Sequence, residues 1–305
     1  MERFGGFVIL AVASGLTLCA AEIPSPFAGR WDLTVVTSSG VTSSRISFPS
    51  WMEFAGESAR PAIRIVGRTG SVHAVHNVVA RDDRLTFEDG PGQWRIFAKD
   101  HKLTGQTPQG QLTGVPAPAL NRQAPAAWTS SEPLFNGRDL TGWQPDNAAL
   151  NHWRAENGEL RNLEAGANIA TTRKFADFKL HIEYNCPPGG NSGVYLRGRY
   201  EVQVEYEPAG KNDVFHAMGS IYGFLAPAAE VLPRPGQWES YDVTLVGRNV
   251  TVVRDGVLII DNVPIPGITG GALDSHEAEP GPIYLQGDHT GGLKYRNITI
   301  SLPQR

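Results

Sequence analysis

Polar and apolar side chains alternate strictly along the stretch Tyr200-Glu201-Val202-Gln203-Val204-Glu205-Tyr206, which is the clearest strand pattern in the chain. Successive side chains of a strand point to opposite faces, so the pattern predicts a β-strand whose inner face carries Val202 and Val204. Its other face is entirely polar and consists of Glu201, Gln203 and Glu205. The stretch therefore predicts a sheet with one face in a core and one face that is polar.

Similar short runs recur on both sides of this stretch, and no window carries a sustained apolar repeat at helical spacing. The chain has 34 Gly and 22 Pro, which predicts frequent turns. The further strands predicted in the C-terminal half of the chain are 160–162, 178–184, 192–197, 239–246, 249–254, 257–260, 281–286 and 293–300. So many short antiparallel strands in one domain indicate an all-β, two-sheet sandwich.

The N-terminal part carries a separate set of strand-like runs, at residues 29–35, 62–66, 72–75 and 84–88, and a predicted hairpin of 93–98 with 102–105. They predict a smaller β-barrel-like accessory domain. The opening Gly29-Arg30-Trp31 is similar to the first strand of lipocalin-like barrels and equally fits a tryptophan packed in a small β domain. Prolines among Ala, Ser and Thr then indicate an extended linker. The predicted division is an accessory domain over 22–122, a linker over 123–131 and the sandwich over 132–305.

The first 21 residues are typical of a secretory signal peptide, with Arg3 followed by an apolar run and then Cys19-Ala20-Ala21. The apolar run is shorter than the roughly 20 residues that a permanent span needs, so we expect no membrane span. Leu18 stands where a lipoprotein signal carries a small residue, which favours cleavage over lipid attachment at Cys19. The sequence predicts export to the periplasm or the medium.

The formal net charge of −4 is spread along the chain and forms no basic stripe. Phosphate backbones are bound by clustered Lys and Arg, so we expect no nucleic-acid partner. Cleavage after Ala21 would leave Cys186 as the only cysteine, so the fold has to be stable without an internal disulfide.

A sugar site is one interpretation of the polar strand face. Tyr195 and Arg197 fall on one face of the preceding predicted strand, just before a tight turn, so they are expected beside Glu201. Aromatic rings pack on the apolar faces of a pyranose, and charged groups bind its hydroxyls. The alternative is the ordinary solvated face of a surface strand, which has the same pattern.

A series of motifs resembles the 3-keto-disaccharide hydrolase family in order and content, over roughly residues 132–302. The motifs are Leu134-Phe135-Asn136-Gly137-Arg138-Asp139-Leu140-Thr141-Gly142-Trp143, Trp153-Arg154-Ala155-Glu156-Asn157-Gly158-Glu159-Leu160, Gly189-Gly190-Asn191-Ser192-Gly193-Val194-Tyr195-Leu196-Arg197, Tyr284-Leu285-Gln286-Gly287-Asp288-His289 and Tyr295-Arg296-Asn297-Ile298. The resemblance implies a concanavalin-like jelly roll for this part of the chain, in agreement with the sandwich predicted from the strands. The N-terminal segment lies outside the resemblance.

The resemblance also implies action on glycosides whose C3 hydroxyl a separate oxidoreductase has already oxidised. A C3 ketone acidifies the C2 proton, so a base forms an enolate and the C1 substituent leaves by β-elimination. Addition of water completes a net hydrolysis, or the reaction stops as a lyase. Such a site needs a base near C2, a group that stabilises the C3 oxyanion and a proton donor for the leaving oxygen.

For these roles the resemblance points to Asp288 with His289 as base or acid, because histidine titrates near neutral pH. Glu201 is a competing base or a ligand of sugar hydroxyls. The expected substrate-binding residues are Asn191, Tyr195, Arg197, Gln203, Tyr222 and Gln286.

Two other functions remain open from the residues, a non-catalytic carbohydrate-binding module and a direct glycosidase that acts on unoxidised sugar. Glu201 and Glu205 lie four residues apart, about 13 Å at about 3.3 Å per residue, whereas glycosidase pairs need about 5 to 9.5 Å. This spacing argues against a direct two-carboxylate route. No cofactor is required by the sequence. A divalent cation would stabilise an enolate, and candidate ligands for one are Glu201, Glu205, Asp288, His289 and His216.

Overall fold

The computed structural model describes residues 25–37, 47–57, 60–206 and 213–304. The predicted signal peptide, residues 1–21, lies outside these ranges and stays a prediction. Over the described ranges the protein is built from strands, with one short 3₁₀ helix, Ala148–Leu150, and no α-helix. None of the helical structure in these ranges has the length and apolar character to cross a membrane. The prediction of an all-β chain is confirmed.

The N-terminal barrel is an antiparallel sheet of nine described strands. They are β1 (Gly29–Thr37), β2 (Ser47–Glu57), β3 (Arg60–Val66), β4 (His73–Ala74), β5 (His76–Arg81), β6 (Arg84–Asp89), β7 (Gly92–Lys99), β8 (Lys102–Thr107) and β9 (Gly110–Pro116). Their order is β4-β3-β2-β1-β9-β8-β7-β6-β5. A backbone hydrogen bond of 3.2 Å from Val75 N to Ile63 O joins the two ends, so the sheet almost closes on itself. Its curvature encloses a core of its own, which includes Trp31, Phe87 and Trp94. The barrel-like prediction is thus confirmed.

The C-terminal sandwich consists of two sheets. The strands of the back sheet are β10 (Glu132–Pro133), β12 (Trp153–Glu156), β13 (Glu159–Asn162), β15 (Phe178–Asn185), β18 (Trp238–Val246), β19 (Asn249–Arg254), β20 (Val257–Pro264) and β22 (Leu293–Ser301). In the described residues their order is β12-β13-β22-β15-β18-β19-β20, and β10 also pairs with β22. The site sheet has the order β11-β14-β21-β16-β17. It contains β11 (Trp143–Pro145), β14 (Ile169–Thr171), β16 (Asn191–Leu196), β17 (Tyr200–Glu205) and β21 (Tyr284–Leu285). These two sheets confirm the predicted jelly-roll sandwich.

The core of the sandwich lies between its two sheets. Val202 and Val204 of β17 are fully buried, as the alternating pattern predicts. Tyr184 and Tyr241 pack on each other in the back sheet with ring centroids 4.5 Å apart. The polar face of β17 is also buried, because further chain segments cover it, and Glu201 is only 3% exposed. β17 is therefore buried on both faces.

One of the covering segments comes from the barrel. We call residues 67–72, between β3 and β4, the barrel loop. The barrel docks through Trp51, which is fully buried and meets Phe224 of the sandwich edge to face at a centroid distance of 5.5 Å. Gly271 N donates to Arg68 O at 3.1 Å, which fixes the barrel loop against the sandwich. A Cβ atom on Gly270 would lie 2.2 Å from the carbonyl oxygen of Gly70, so this close approach requires glycine.

Candidate active site

The polar face of β17 borders a cavity of about 280 Å³, which we call the site cavity. Its lining residues are Thr69, Gly70, Asn191, Tyr195, Glu201, Gln203, Glu205, His216, Tyr222, Gly270, Gly271, Gln286, Asp288 and His289. Ligand cavities for drug-sized molecules begin at about 300 Å³, so this volume suits one sugar ring. Every residue that the sequence predicted for the site lies here except Arg197.

The pairing of β16 with β17 positions the central carboxyl group. Tyr195 stands directly across from Glu201, and paired residues of neighbouring strands share a face. The single proton of the Tyr195 hydroxyl is shared between two acceptors, Glu201 Oε2 at 2.8 Å and the Gly270 carbonyl at 2.9 Å. A Cβ atom on Gly193 would lie 2.0 Å from Glu201 Oε1, so glycine at this position makes room for the carboxyl group. Glu201 is therefore held in one orientation.

Burial dominates the electrostatics of Glu201. Removal from water disfavours the charged form and raises the pKa of this carboxyl group to about 8, and the nearby charges of Glu205 and Asp288 add to the rise. The hydrogen bond from Tyr195 acts in the opposite direction but does not cancel it. Glu201 consequently holds its proton at neutral pH and is available there as a proton donor.

Asp288 and His289 form an ion pair at the same cavity. His289 Nδ1 lies 2.7 Å from Asp288 Oδ1, and both side chains are about half exposed. The hydrogen bond to Asp288 raises the pKa of His289 above its usual value. Burial alone would raise the pKa of Asp288, but the hydrogen bond from His289 lowers it. An imidazole backed by a carboxylate in this way is suited to accept a proton, because the carboxylate stabilises the imidazolium.

Amide groups supply neutral hydrogen-bonding partners around these titratable groups. Gln203 Nε2 donates to Glu205 Oε2 at 2.5 Å. The side-chain oxygens of Gln203 and Gln286 are buried and have no hydrogen-bond partner within the described part of the chain. A buried acceptor without a donor costs free energy, so a ligand hydroxyl that reached either oxygen would be bound favourably.

His216 and Tyr222 come from the long segment that follows β17, and their rings pack with centroids 4.7 Å apart. Tyr222 thus lies at the cavity, as the sequence predicted. His216 Nδ1 is 3.0 Å from Asp213 Oδ1, and its Nε2 hydrogen-bonds with Ser71 Oγ of the barrel loop. The sequence indicates His216 only as a candidate metal ligand. It does not indicate Thr69 or Gly70, because no motif marks the barrel loop.

Arg197 corrects one prediction, because it does not reach the cavity. It lies in the turn after β16 with φ of +53°, so the alternation that begins at Tyr195 does not extend to it. Its side chain is fully buried and donates from Nη2 to the Tyr200 hydroxyl and to the Gly247 carbonyl, each at 2.9 Å. The guanidinium therefore stabilises the turn and the sandwich.

A metal centre has no preformed ligand set in the described ranges. No group of three or more His, Cys, Asp and Glu residues there is arranged so that it could hold a metal ion.

Comparison with known proteins supports the resemblance found in the sequence. A family model described as a 3-keto-alpha-glucoside-1,2-lyase-like domain matches residues 130–301, and no curated protein sequence matches the chain. A provisionally assigned glycosyl hydrolase from Parabacteroides distasonis ATCC 8503 is 28% identical, with a TM-score of 0.48, and the match covers 59% of this chain and 92% of that one.

Two further solved structures are similar at lower identity. A laminarinase from Flavobacterium sp. UMI-01 is 12% identical with a TM-score of 0.36, covering 58% of this chain and 100% of its own. Porphyranase B from Zobellia galactanivorans is 11% identical with a TM-score of 0.35, and the match covers 60% of this chain and 96% of that one. Only the family match carries weight for function.

Proposed function

This chain belongs to the 3-keto-alpha-glucoside-1,2-lyase-like family through residues 130–301, and from that premise we propose that it cleaves glycosides whose C3 hydroxyl has been oxidised to a ketone. The observation that carries the proposal is the meeting of two titratable groups in one cavity, a buried Glu201 that holds its proton and the Asp288–His289 pair. Strongly shifted pKa values in a cleft are typical of catalytic sites.

His289 is the base in this proposal. Its neutral imidazole removes the C2 proton of the sugar, whose acidity comes from the C3 ketone, and Asp288 stabilises the imidazolium that forms. The electrons of the broken C–H bond form an enolate between C2 and C3. Amide groups of Asn191, Gln203 and Gln286 surround the sugar and donate hydrogen bonds to its oxygens.

Glu201 is the acid. The enolate expels the C1 substituent, and Glu201 gives its proton to the leaving oxygen as the C1–O bond breaks. The products of this step are an alcohol and a sugar with a C1–C2 double bond conjugated to the ketone. Water then adds to C1 and gives a proton to the Glu201 carboxylate. The half-exposed imidazolium of His289 exchanges its proton with solvent and protonates C2, which gives the 3-keto sugar. Without water the reaction ends as a lyase.

The substrate implies a partner reaction, because ordinary glycosides carry a hydroxyl at C3. We propose that a separate oxidoreductase supplies the ketone. The predicted export signal places both reactions outside the cytoplasm in this proposal.

Incubation of the purified protein with a 3-keto-disaccharide, beside the same disaccharide unoxidised, tests the function. We expect release of a free hexose only from the oxidised sugar, because only that sugar has an acidic C2 proton. Cleavage of the unoxidised sugar would instead support a direct glycosidase. Saturable binding without cleavage of either sugar would support a non-catalytic binding module.

A further inference from the structure

A row of polar side chains runs from the barrel to the site cavity, and we infer that it makes Tyr222 the hydrogen-bond donor to the enolate oxygen on C3. Ser71 of the barrel loop and His216 of the sandwich, which hydrogen-bond with each other, are the positioning residues of this row. The inference rests on the proposed function, because it assigns the group that stabilises the enolate. It extends that function to the barrel, since Ser71 lies outside the matched family region.

Among the described residues, two tyrosines line the site cavity, Tyr195 and Tyr222. The proton of Tyr195 is shared between Glu201 Oε2 and the Gly270 carbonyl, so it is already engaged within the protein. Burial raises the pKa of the Tyr222 hydroxyl, the charge of Glu201 raises it further, and a hydrogen bond with Ser71 acts in the opposite direction without cancelling the rise. Tyr222 therefore keeps its proton at neutral pH and is the phenol that can donate to a ligand.

The hydrogen bond between Ser71 and Tyr222 indicates which way the protons point. Such a bond lowers the pKa of a phenol when the phenol oxygen accepts it, because the bond then favours the phenolate. The Ser71 hydroxyl donates to Tyr222 in this arrangement, and the oxygen of Ser71 accepts from His216 Nε2. The other ring nitrogen of His216, Nδ1, lies 3.0 Å from Asp213 Oδ1. The proton of Tyr222 is then left for the sugar.

Ring and backbone contacts hold Tyr222 beside the proposed acid. Its ring packs on the ring of His216 with centroids 4.7 Å apart, and its backbone N donates to the Glu201 carbonyl at 3.1 Å. A Cβ atom on Gly223 would lie 3.0 Å from Cα of Ser71, so the barrel loop lies directly against this turn. The proposed acid and the proposed enolate donor are thus joined through the backbone.

The proposed mechanism needs a donor of this kind, because negative charge develops on the C3 oxygen as the C2 proton moves to His289. A fixed phenol proton stabilises that charge more than it stabilises the neutral ketone, so it acts on the rate of the chemical step. The amide of Gln203 is less available for this task, because its Nε2 already donates to Glu205 Oε2 at 2.5 Å. The expected effect of Tyr222 is therefore on kcat and only weakly on KM.

The test combines two single variants and their double variant on a 3-keto-disaccharide. Tyr222→Phe keeps the ring and should lower kcat by about 10²- to 10³-fold, the usual effect of removing one oxyanion donor. Ser71→Ala should lower kcat by about 3- to 10-fold, the usual effect of losing one neutral hydrogen bond, with little change in KM. Adding Ser71→Ala to Tyr222→Phe should cause no further loss, because Ser71 acts through the Tyr222 hydroxyl.

Thr34→Val is the matched control for docking of the barrel. Thr34 Oγ1 and Ser275 Oγ form another hydrogen bond between the barrel and the sandwich, at 2.8 Å, and neither residue lines the site cavity. The control removes a hydroxyl from the same interface and should leave kcat and KM unchanged. Equal losses in Ser71→Ala and Thr34→Val would overturn the inference, because weaker docking would then explain both.

Wild-type kcat in Tyr222→Phe, or an additive loss in the double variant, would also overturn the inference. If wild type cleaves no keto sugar, the proposed function fails instead, and hydrogen–deuterium exchange of residues 214–225 then tests the positioning alone. Ser71→Ala should speed exchange in that segment, whereas Thr34→Val should not. Unchanged exchange in Ser71→Ala would overturn the positioning role of Ser71.

Discussion

Glu201→Gln lowers kcat/KM for 3-keto-disaccharides by about 10²- to 10⁴-fold, the usual contribution of a general acid, because glutamine fills the same space but has no acidic proton. The loss depends on the leaving group. The nitrophenolate of a nitrophenyl 3-keto-glucoside leaves with little protonation, so the variant should cleave this substrate at close to the wild-type rate. Steady-state rates on the two substrates measure this difference.

The pH dependence provides a second readout of the same residue. Wild-type kcat/KM on the disaccharide should fall at high pH as Glu201, with its pKa of about 8, loses the proton that it donates. On the nitrophenyl substrate this fall should be absent. If Glu201→Gln lowers kcat/KM equally for both substrates, Glu201 is not the acid, and a role as the base explains the result better.

The fold of the Glu201→Gln variant should be intact, and the stability of the wild type explains why. Glu201 has a higher pKa in the folded protein than the usual value of 4.5, so its contribution to stability is complete below pH 4.5 and is lost as pH rises through about 8. Thermal unfolding of the variant should therefore match wild type near pH 5 and exceed it above pH 8. If the variant is much less stable at both values, its kinetics are unusable, and the wild-type pH profiles on the two substrates then decide whether Glu201 is the acid.

His289→Ala should abolish cleavage of the disaccharide and of the nitrophenyl substrate alike, with a loss of about 10²- to 10⁴-fold, because both reactions begin with removal of the C2 proton. His181→Ala is the matched control. His181 also pairs with an aspartate, since its Nδ1 lies 2.7 Å from Asp242 Oδ1. It lies on β15 of the back sheet, however, and does not line the site cavity. The control should keep wild-type rates on both substrates. Near wild-type activity of His289→Ala would remove His289 from the mechanism.

The pH profile of the wild type at low pH also reports His289. The hydrogen bond to Asp288 raises the pKa of His289, so the neutral, base-competent imidazole is lost as pH falls through that raised value. We expect kcat/KM to fall on the acidic side for both substrates.

The sequence predicts the polar face of β17 because alternation is a local property of a strand. Glu201 and Gln203 lie at the cavity for that reason. The family motifs predict Asp288 and His289 as site residues, and both line the site cavity. No periodicity in the sequence connects these two residues with β17. Arg197 shows where local reasoning stops, because its positive φ ends the alternation one residue after β16.

The barrel's part in the site could not be predicted from the sequence. Ser71 and His216 are 145 residues apart and meet only because the barrel docks on the sandwich. The acid strength of Glu201 also depends on this docking and on the segment that follows β17, since together they bury a strand face that would otherwise be solvated. Contacts of this kind depend on tertiary packing, which no short motif encodes.

In the proposed mechanism, cleavage breaks the C2–H bond of a 3-keto sugar. The direct measurement uses a 3-keto-disaccharide deuterated at C2, with mass analysis of the sugar released in ordinary water and an enzyme-free sample to correct for spontaneous exchange. We predict that the released sugar has lost the deuterium, because the deuteron on the half-exposed His289 exchanges with water before C2 is protonated again and because a lyase product carries no hydrogen at C2. Full retention of deuterium in the cleaved product would contradict the account, because the glycosidic bond would then break without removal of the C2 proton.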